Sequence, residues 1–423
     1  SNGLNGTILI SEAIAIDSLN IQDPLNNTLL PNVLAKIQSL QGIEAMTNLV
    51  SLEVGLNELS SIDLSQNTEL TNLFLNDNQF TSVDVSANTK LERFGIMRNQ
   101  VTAVDVSMLP ALKDLFVHGN QLTTIDVSNN PNLTILYAFD NLLATINVTQ
   151  NPLLEVLRLE NNYELQPNNQ ISTLDLSNNI NLTDLRFSNN PINEIDISNN
   201  INLEFITFYG VGLSTIDFSQ NSKLLRIYSG YNGNLTSMDV SANPDLEWLT
   251  IINNDFTGID VSANTKLQYL VMDNNAVSTV DVSNNPDLYW LSFENNALTA
   301  IDISNNIQLT NLYVNGNNLS SLDLSANLLL GQGDPQYQPV FINDNPNLTC
   351  VQIDVTQNIS NWIKDDLATF STNCGGENTI VNIPDTNFEQ ALIDLGFDSN
   401  GLNGTILISE AIAIDSLNIQ DPL

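Results

Sequence analysis

One segment recurs along this chain and constrains its fold more than any other feature. Residues 70–91 read LTNLFLNDNQFTSVDVSANTKL, and close variants follow one another from Leu49 to Asn327. Their marker is an xDxS tetrad. Its acid stands at Asp63, Asp84, Asp105, Asp126, Asp175, Asp196, Asp217, Asp239, Asp260, Asp281, Asp302 and Asp323, and Asn147 replaces it once. Most spacings are 21 residues, one is 22 and one is 28. Self-similarity at such a period marks a solenoid, in which each unit buries its apolar side only against its neighbours. The consensus LxxLxLxxNxLTxIDVSxNxxL predicts about thirteen coils. At ~4.8 Å per coil they stack to roughly 60 Å.

Within a coil, Leu73-Phe74-Leu75 alternates and predicts a short strand with its leucines facing in. Val83-Asp84-Val85 alternates too and predicts a second strand-like half. A coil of 21 residues has no room for a long helix between the two. The expectation is a β-rich solenoid, flattened, with little helix outside its caps. Asn78, Asn99 and Asn120 should form an internal ladder whose amides meet backbone groups, and Asn67, Asn88 and Asn130 a second one. Two insertions break the rhythm, YELQPNNQIS at 163–172 and LLLGQGDPQYQ at 328–338, the second ahead of a last coil from Val340 to Asn345. Insertions in solenoids become loops on one face, either tolerated drift or part of a binding face.

The ends carry a different signal. Residues 1–25 and 399–423 are identical, SNGLNGTILISEAIAIDSLNIQDPL, a period of 398 residues. Just before the second copy, Phe388, Ala391, Leu392 and Leu395 fall on one face of a helix that Pro384 and Asp385 suit as a start. The chain therefore reads as starting inside one domain and ending inside the next. The expected boundaries are the remainder of an N-terminal cap at 1–48, the solenoid at 49–345, a C-terminal cap at 346–376, and the start of a further copy at 377–423. The two cysteines, Cys350 and Cys374, sit in the C-terminal cap. They suggest a stapling disulfide and an oxidising compartment, with two free buried thiols as the alternative.

The LxxLxLxxNxL core is that of a leucine-rich repeat. Together the DVSxNxxLxxL coils, the IPDTNFEQALIDLG opening and the NPNLTC…NW…C ending resemble leucine-rich-repeat domains of secreted and surface proteins of the Bacteroidota. Those proteins are often multidomain and often exported by the type IX route. The resemblance implies an extracellular or cell-surface location and an adhesive or binding role. No type IX sorting domain is visible in this chain.

Eleven basic and 48 acidic residues give a net charge of −37, which repels nucleic acid and anionic membrane surfaces. No apolar stretch approaches the ~18 residues of a membrane span. A hydrolase needs a nucleophile with its base, or carboxylates in matched roles. The single histidine, His118, is expected on the exposed side of a coil strand, and His/Cys metal sites are excluded by count. No glycine-rich phosphate loop opens a helix. The chain reads as non-catalytic.

Two repeated patterns remain as candidate sites. Neighbouring ladder aspartates, ~5 Å apart, repel by ~0.8 kcal/mol in water. Either they satisfy turn amides in each coil, or a row such as Asp239, Asp260, Asp281 and Asp302 orders Ca²⁺. The other pattern is aromatic. The outward position before the second leucine of the strand holds Phe205, Arg226, Trp248, Tyr269 and Trp290 in successive coils. Tyr137, Tyr228, Tyr313 and Phe116 occupy the outward position two residues on. Such rows suit a sugar ring, a peptide or a partner domain, or stack for stability alone. The candidate partners are further copies of this chain, or a surface glycan or protein.

Overall fold

The computed structural model describes residues 9–23, 26, 35–162, 168–333, 339–374, 380–398, 401–402, 404–407, 411 and 414. The solenoid is built on one parallel sheet of 15 strands. Its strands are β1 (Ser18–Asn20), β2 (Ser51–Glu53), β3 (Asn72–Phe74), β4 (Arg93–Gly95), β5 (Asp114–Phe116), β6 (Ile135–Tyr137), β7 (Val156–Arg158), β8 (Asp184–Arg186), β9 (Phe205–Tyr209), β10 (Arg226–Gly230), β11 (Trp248–Ile252), β12 (Tyr269–Val271), β13 (Trp290–Ser292) and β14 (Asn311–Tyr313). A smaller parallel sheet joins β15 (Leu322–Asp323), β17 (Cys350–Gln352) and β18 (Thr369–Ser371), while β16 (Val340–Phe341) closes the large one. The thirteen expected coils are β2 to β14. β1 and β16 extend the sheet by one strand at each end.

Register follows the repeat. Leu52 pairs with Leu73 and Leu73 with Phe94, so every inward residue lies over its equivalent. Leu70, Leu73, Leu75, Phe80 and Val85 of one coil are buried and join a single core that runs the length of the array. After nearly every strand of the large sheet, β7 excepted, the chain turns through one left-handed residue. Asp77 (φ 53°), Asn189 (59°) and Asn295 (52°) hold that position, as do Gly119 (67°) and Gly316 (66°). Asn, Asp and Gly suit that region best, yet Leu56 and Arg98 occupy it as well.

Both asparagine ladders form, with different chemistry. Asn120 Nδ2 donates to Ile96 O of the preceding coil (2.9 Å) and to Val117 O (3.0 Å), and its Oδ1 accepts from Val101 N (3.0 Å). Asn264, in the other ladder, donates to Val240 O (2.9 Å) and Asn243 O (2.8 Å), while its buried Oδ1 has no protein partner. Leu109 takes the place of asparagine once in this second ladder and is equally buried.

The second strand of each coil is not formed. Val85 is buried and Asp84 exposed, as the alternation required, but the Val83–Val85 segment joins no sheet. The aspartate carboxylate accepts the backbone N–H two residues on, as from Ser86 to Asp84 (2.9 Å), and Asp323 accepts from Ser325 N (2.9 Å) in the same way within β15, so this turn is compatible with a strand but does not require one. Only at the C-terminal end, in β15, β17 and β18, does a ladder run on this side. There a disulfide joins Cys350 to Cys374, with Cα atoms 5.7 Å apart.

A separate small cluster of Ile383, Leu392 and Ile406 lies around the helix Thr386–Asp394. Asp385 caps that helix by accepting from Asn387 N and Phe388 N. The expected apolar face needs correction: Phe388 and Leu395 are exposed, and Glu389 is buried beside Leu392. Glu389 accepts from the backbone of Gly404 (2.5 Å) and Thr405 (3.1 Å), a source of donors that helical periodicity cannot reveal. Residues 1–8 and 24–25 of the first terminal segment, most of the second, residues 163–167 of the first insertion and residues 334–338 of the second lie outside the described residues.

Candidate functional site

Because strand side chains alternate, the outward residues of the large sheet form rows running along the solenoid axis. The register places Phe205, Arg226, Trp248, Tyr269 and Trp290 side by side on β9 to β13. Tyr228 and Tyr313 stand in the next row, two residues along their strands. All seven expected positions therefore share one face.

Their rings are in contact. Trp248 stacks on Tyr269 at 3.8 Å between centroids, with planes 17° apart, and Tyr269 on Trp290 at 5.3 Å and 23°. The run continues through Tyr313 (5.0 Å) to Phe341 (5.4 Å). At its other end Tyr228 bridges Phe205 (5.3 Å) and Trp248 (6.1 Å), and the guanidinium of Arg186 lies 4.3 Å from the Phe205 ring. Burial raises the pKa values of Tyr228, Tyr269 and Tyr289, so their phenols keep their protons at neutral pH.

The sequence rows were too narrow in one respect. In the first half of the array Phe74 joins the expected Phe116 and Tyr137 in the second row. Arg158 packs over both Tyr137 (4.9 Å) and Phe139 (4.7 Å). Arg158, Arg186 and Phe139 were missed, although the same alternation, read two residues further along each strand, locates them. His118 also belongs to this face but is not exposed. It stacks on Phe139 at 4.1 Å and is 7% accessible. Burial, with Arg98 and Arg158 nearby, pushes its pKa down to about 4.

The residue types on this face are selective. Four of the five arginines lie on its strands (Arg93, Arg158, Arg186 and Arg226), and Arg98 follows β4 directly. None of the six lysines lies on any strand. Two of the three tryptophans are here; the third, Trp362, is buried in the C-terminal cap.

The aspartate row has no such partners. Asp239, Asp260 and Asp281 are each held below the usual carboxylate range by the hydroxyl and the backbone N–H of the serine two residues on. Asp302 is held down by the same two groups of Ser304, the N–H foremost. Repulsion from a neighbouring aspartate is the weakest influence on them where it acts. Where the acid is replaced, Asn147 accepts from Thr149 N (3.0 Å) in the same geometry, so the turn needs an acceptor rather than a charge. Among the described residues no group of three or more His, Cys, Asp or Glu side chains is arranged to hold a metal ion.

No protein-family model and no curated protein matches this chain. Among solved structures, the functional domain of InlJ from Listeria monocytogenes is similar at 30% identity and a TM-score of 0.70, covering 81% of this chain and 70% of that one. That domain is described as including a cysteine ladder; the coils here carry asparagine ladders instead. A leucine-rich-repeat protein of Leptospira interrogans matches at 18% identity and a TM-score of 0.65, over 80% of this chain and 92% of its own. YopM, a leucine-rich effector protein of Yersinia pestis, matches at 20% and 0.53, over 64% and 73%. At those identities the last two establish the fold alone.

Proposed function

Since this chain belongs to the leucine-rich-repeat proteins, we propose that it is a non-catalytic recognition module whose strand face docks a protein partner. One observation carries the reading: arginine, tyrosine and tryptophan gather on the strands of the large sheet, and lysine is excluded from them. That is the bias of protein interfaces, whose energetic centres favour Trp, Tyr and Arg while Lys is depleted. An extracellular or cell-surface setting fits the cap disulfide and the resemblance to exported surface proteins of the Bacteroidota. No helix among the described residues is long and apolar enough to cross a membrane.

A second reading, an adhesive or filament-forming unit of a tandem protein, draws on a different observation: residues 1–25 recur unchanged at 399–423. The intact mass of the native protein tests it, because a mass near 46.4 kDa excludes tandem copies. The first reading is tested by probing arrayed surface and matrix proteins with the purified chain. A partner of the strand face should be lost in the Trp248→Ala/Trp290→Ala double variant and kept when Asp260 and Asp281 are changed to Asn. A partner indifferent to the double variant would place recognition elsewhere.

A further inference from the structure

The partner's chemistry is narrowed by one arginine. Arg93 pairs with Asp114 (2.9 Å), Arg98 with Asp77 (3.4 Å), Arg186 with Asp184 (2.8 Å) and Arg158 with Glu160. Arg226 is the exception. It is exposed, and among the described residues no carboxylate lies within 4.0 Å of it. Glu204 and Glu247 directly precede its row neighbours Phe205 and Trp248, yet neither closes on it. In a chain with 48 acids for 11 bases, an unpaired guanidinium is unusual. It lies 5.8 Å from the centroid of the Trp248 ring, a contact that steadies the head and leaves its N–H donors unspent. Those donors form a planar fork matched to a carboxylate.

The rings beside it have a matching polarity. Tyr269 is stacked between Trp248 and Trp290, so its faces are covered and its rim is what remains. An aromatic rim is the positive end of the ring's quadrupole. The strip therefore combines positive rims, protonated phenols and one free guanidinium. It suits a ligand rich in acceptors more than a sugar that needs an open ring face. From Phe205 to Trp290 the row spans four coil steps, ~19 Å, the reach of about six residues of extended chain at ~3.3 Å each. Asp273 and Glu294 lie four residues beyond Tyr269 and Trp290, off the row itself, and burial raises the pKa of both.

Resting on the strand-face reading above, we propose that Arg226 and the Trp248–Tyr269–Trp290 row receive an extended acidic segment of the partner polypeptide. A Glu or Asp carboxylate of that segment sits on the guanidinium, and its backbone carbonyls lie along the ring rims.

The probes are hexaglutamate, hexaglutamine and an oligogalacturonate of similar length, titrated at 0.15 M salt, where the Debye length of ~8 Å screens the chain's overall negative charge. Tryptophan fluorescence and calorimetry report binding. Hexaglutamate should saturate and hexaglutamine should not. Arg226→Gln should weaken hexaglutamate about tenfold, the loss of a hydrogen bond to a charged group, while Arg93→Gln, at a paired arginine, should not. Circular dichroism checks that both variants fold. No saturation by hexaglutamate up to millimolar concentration overturns the proposal, as does equal binding by Arg226→Gln. Binding of the oligogalacturonate alone overturns it in favour of an acidic polysaccharide. An arrayed partner lost in the Trp248→Ala/Trp290→Ala variant but kept by Arg226→Gln sinks the acidic segment and leaves the strand-face reading standing.

Discussion

The two asparagine ladders look alike in sequence and should respond oppositely to the same change. Replacing Asn120 by leucine removes the only acceptor of Val101 N–H, a buried donor. Orphaning such a group costs ~1–3 kcal/mol. Ile96 O and Val117 O also lose a donor, but each keeps another, from Asn99 and Asn141 respectively. At ~0.5–1.5 kcal/mol for each of those bonds, the expected loss is about 4 kcal/mol in all. Replacing Asn264 by leucine also removes two bonds, to Val240 O and Asn243 O. Both carbonyls keep backbone donors, Asn243 N and Leu246 N. The side-chain oxygen of Asn264, which has no protein partner, disappears as well. That gain offsets the lost bonds, and the expected change is within about 1 kcal/mol. Leu109 shows that the row accepts leucine. Urea denaturation followed by far-ultraviolet circular dichroism measures both variants, with unchanged slopes as the condition for comparing midpoints. Equal losses in the two variants, or a loss below about 1 kcal/mol for Asn120→Leu, would refute the assignment of cost to the orphaned N–H.

Three further outcomes are expected. Reducing the Cys350–Cys374 bridge, whose cysteines are 24 positions apart, should cost the cap about 3 kcal/mol, read as a lowered urea midpoint. An unchanged midpoint would show that the bridge is not a staple. The ladder aspartates have folded pKa values below 3.8, so their contribution is present above that value and fades as the pH falls through the lowered ones. The Asp239→Asn/Asp260→Asn/Asp281→Asn variant should fold normally at pH 7 and lose less stability between pH 5 and 2 than the parent; parallel acid titrations would contradict this. His118, displaced from 6.5 to about 4 by burial, should titrate near pH 4 by NMR, and stability should begin to fall below pH 6.5 as the unfolded chain takes up that proton. A His118 titration near pH 6.5 would mean that Phe139 does not cover the ring.

The coils, the inward residues and both ladders were legible because a 21-residue period forces equivalent residues to meet. What escaped depended on partners the repeat does not encode. Val83-Asp84-Val85 has a strand's alternation, but the equivalent segment finds a pairing neighbour only at the C-terminal end, where β17 lies beside β15. His118 obeys the outward rule, yet Phe139 from the next coil covers it. Glu389 interrupts an apolar face because amides 15 and 16 residues later receive its charge. On the strand face the row of Trp248 and Trp290 was readable. That Arg226 lacks an acid while four other arginines have one is a matter of side-chain distance, which no spacing reports.

The sheet that runs along one side of the array, and along both sides only at its C-terminal end, has a mechanical consequence. Under tension between its ends, a coil joined by one ladder peels away by breaking a few hydrogen bonds at a time. The β15–β17–β18 end must break a second ladder, and the covalent bridge from Cys350 to Cys374 withholds the chain between them from extension altogether. Unravelling is therefore polar, proceeding toward the bridged cap and halting there. Each coil of 21 residues lengthens the molecule by ~70 Å as it gives way. A single-molecule pulling trace would show this as evenly spaced steps that end with the loop between Cys350 and Cys374 still closed.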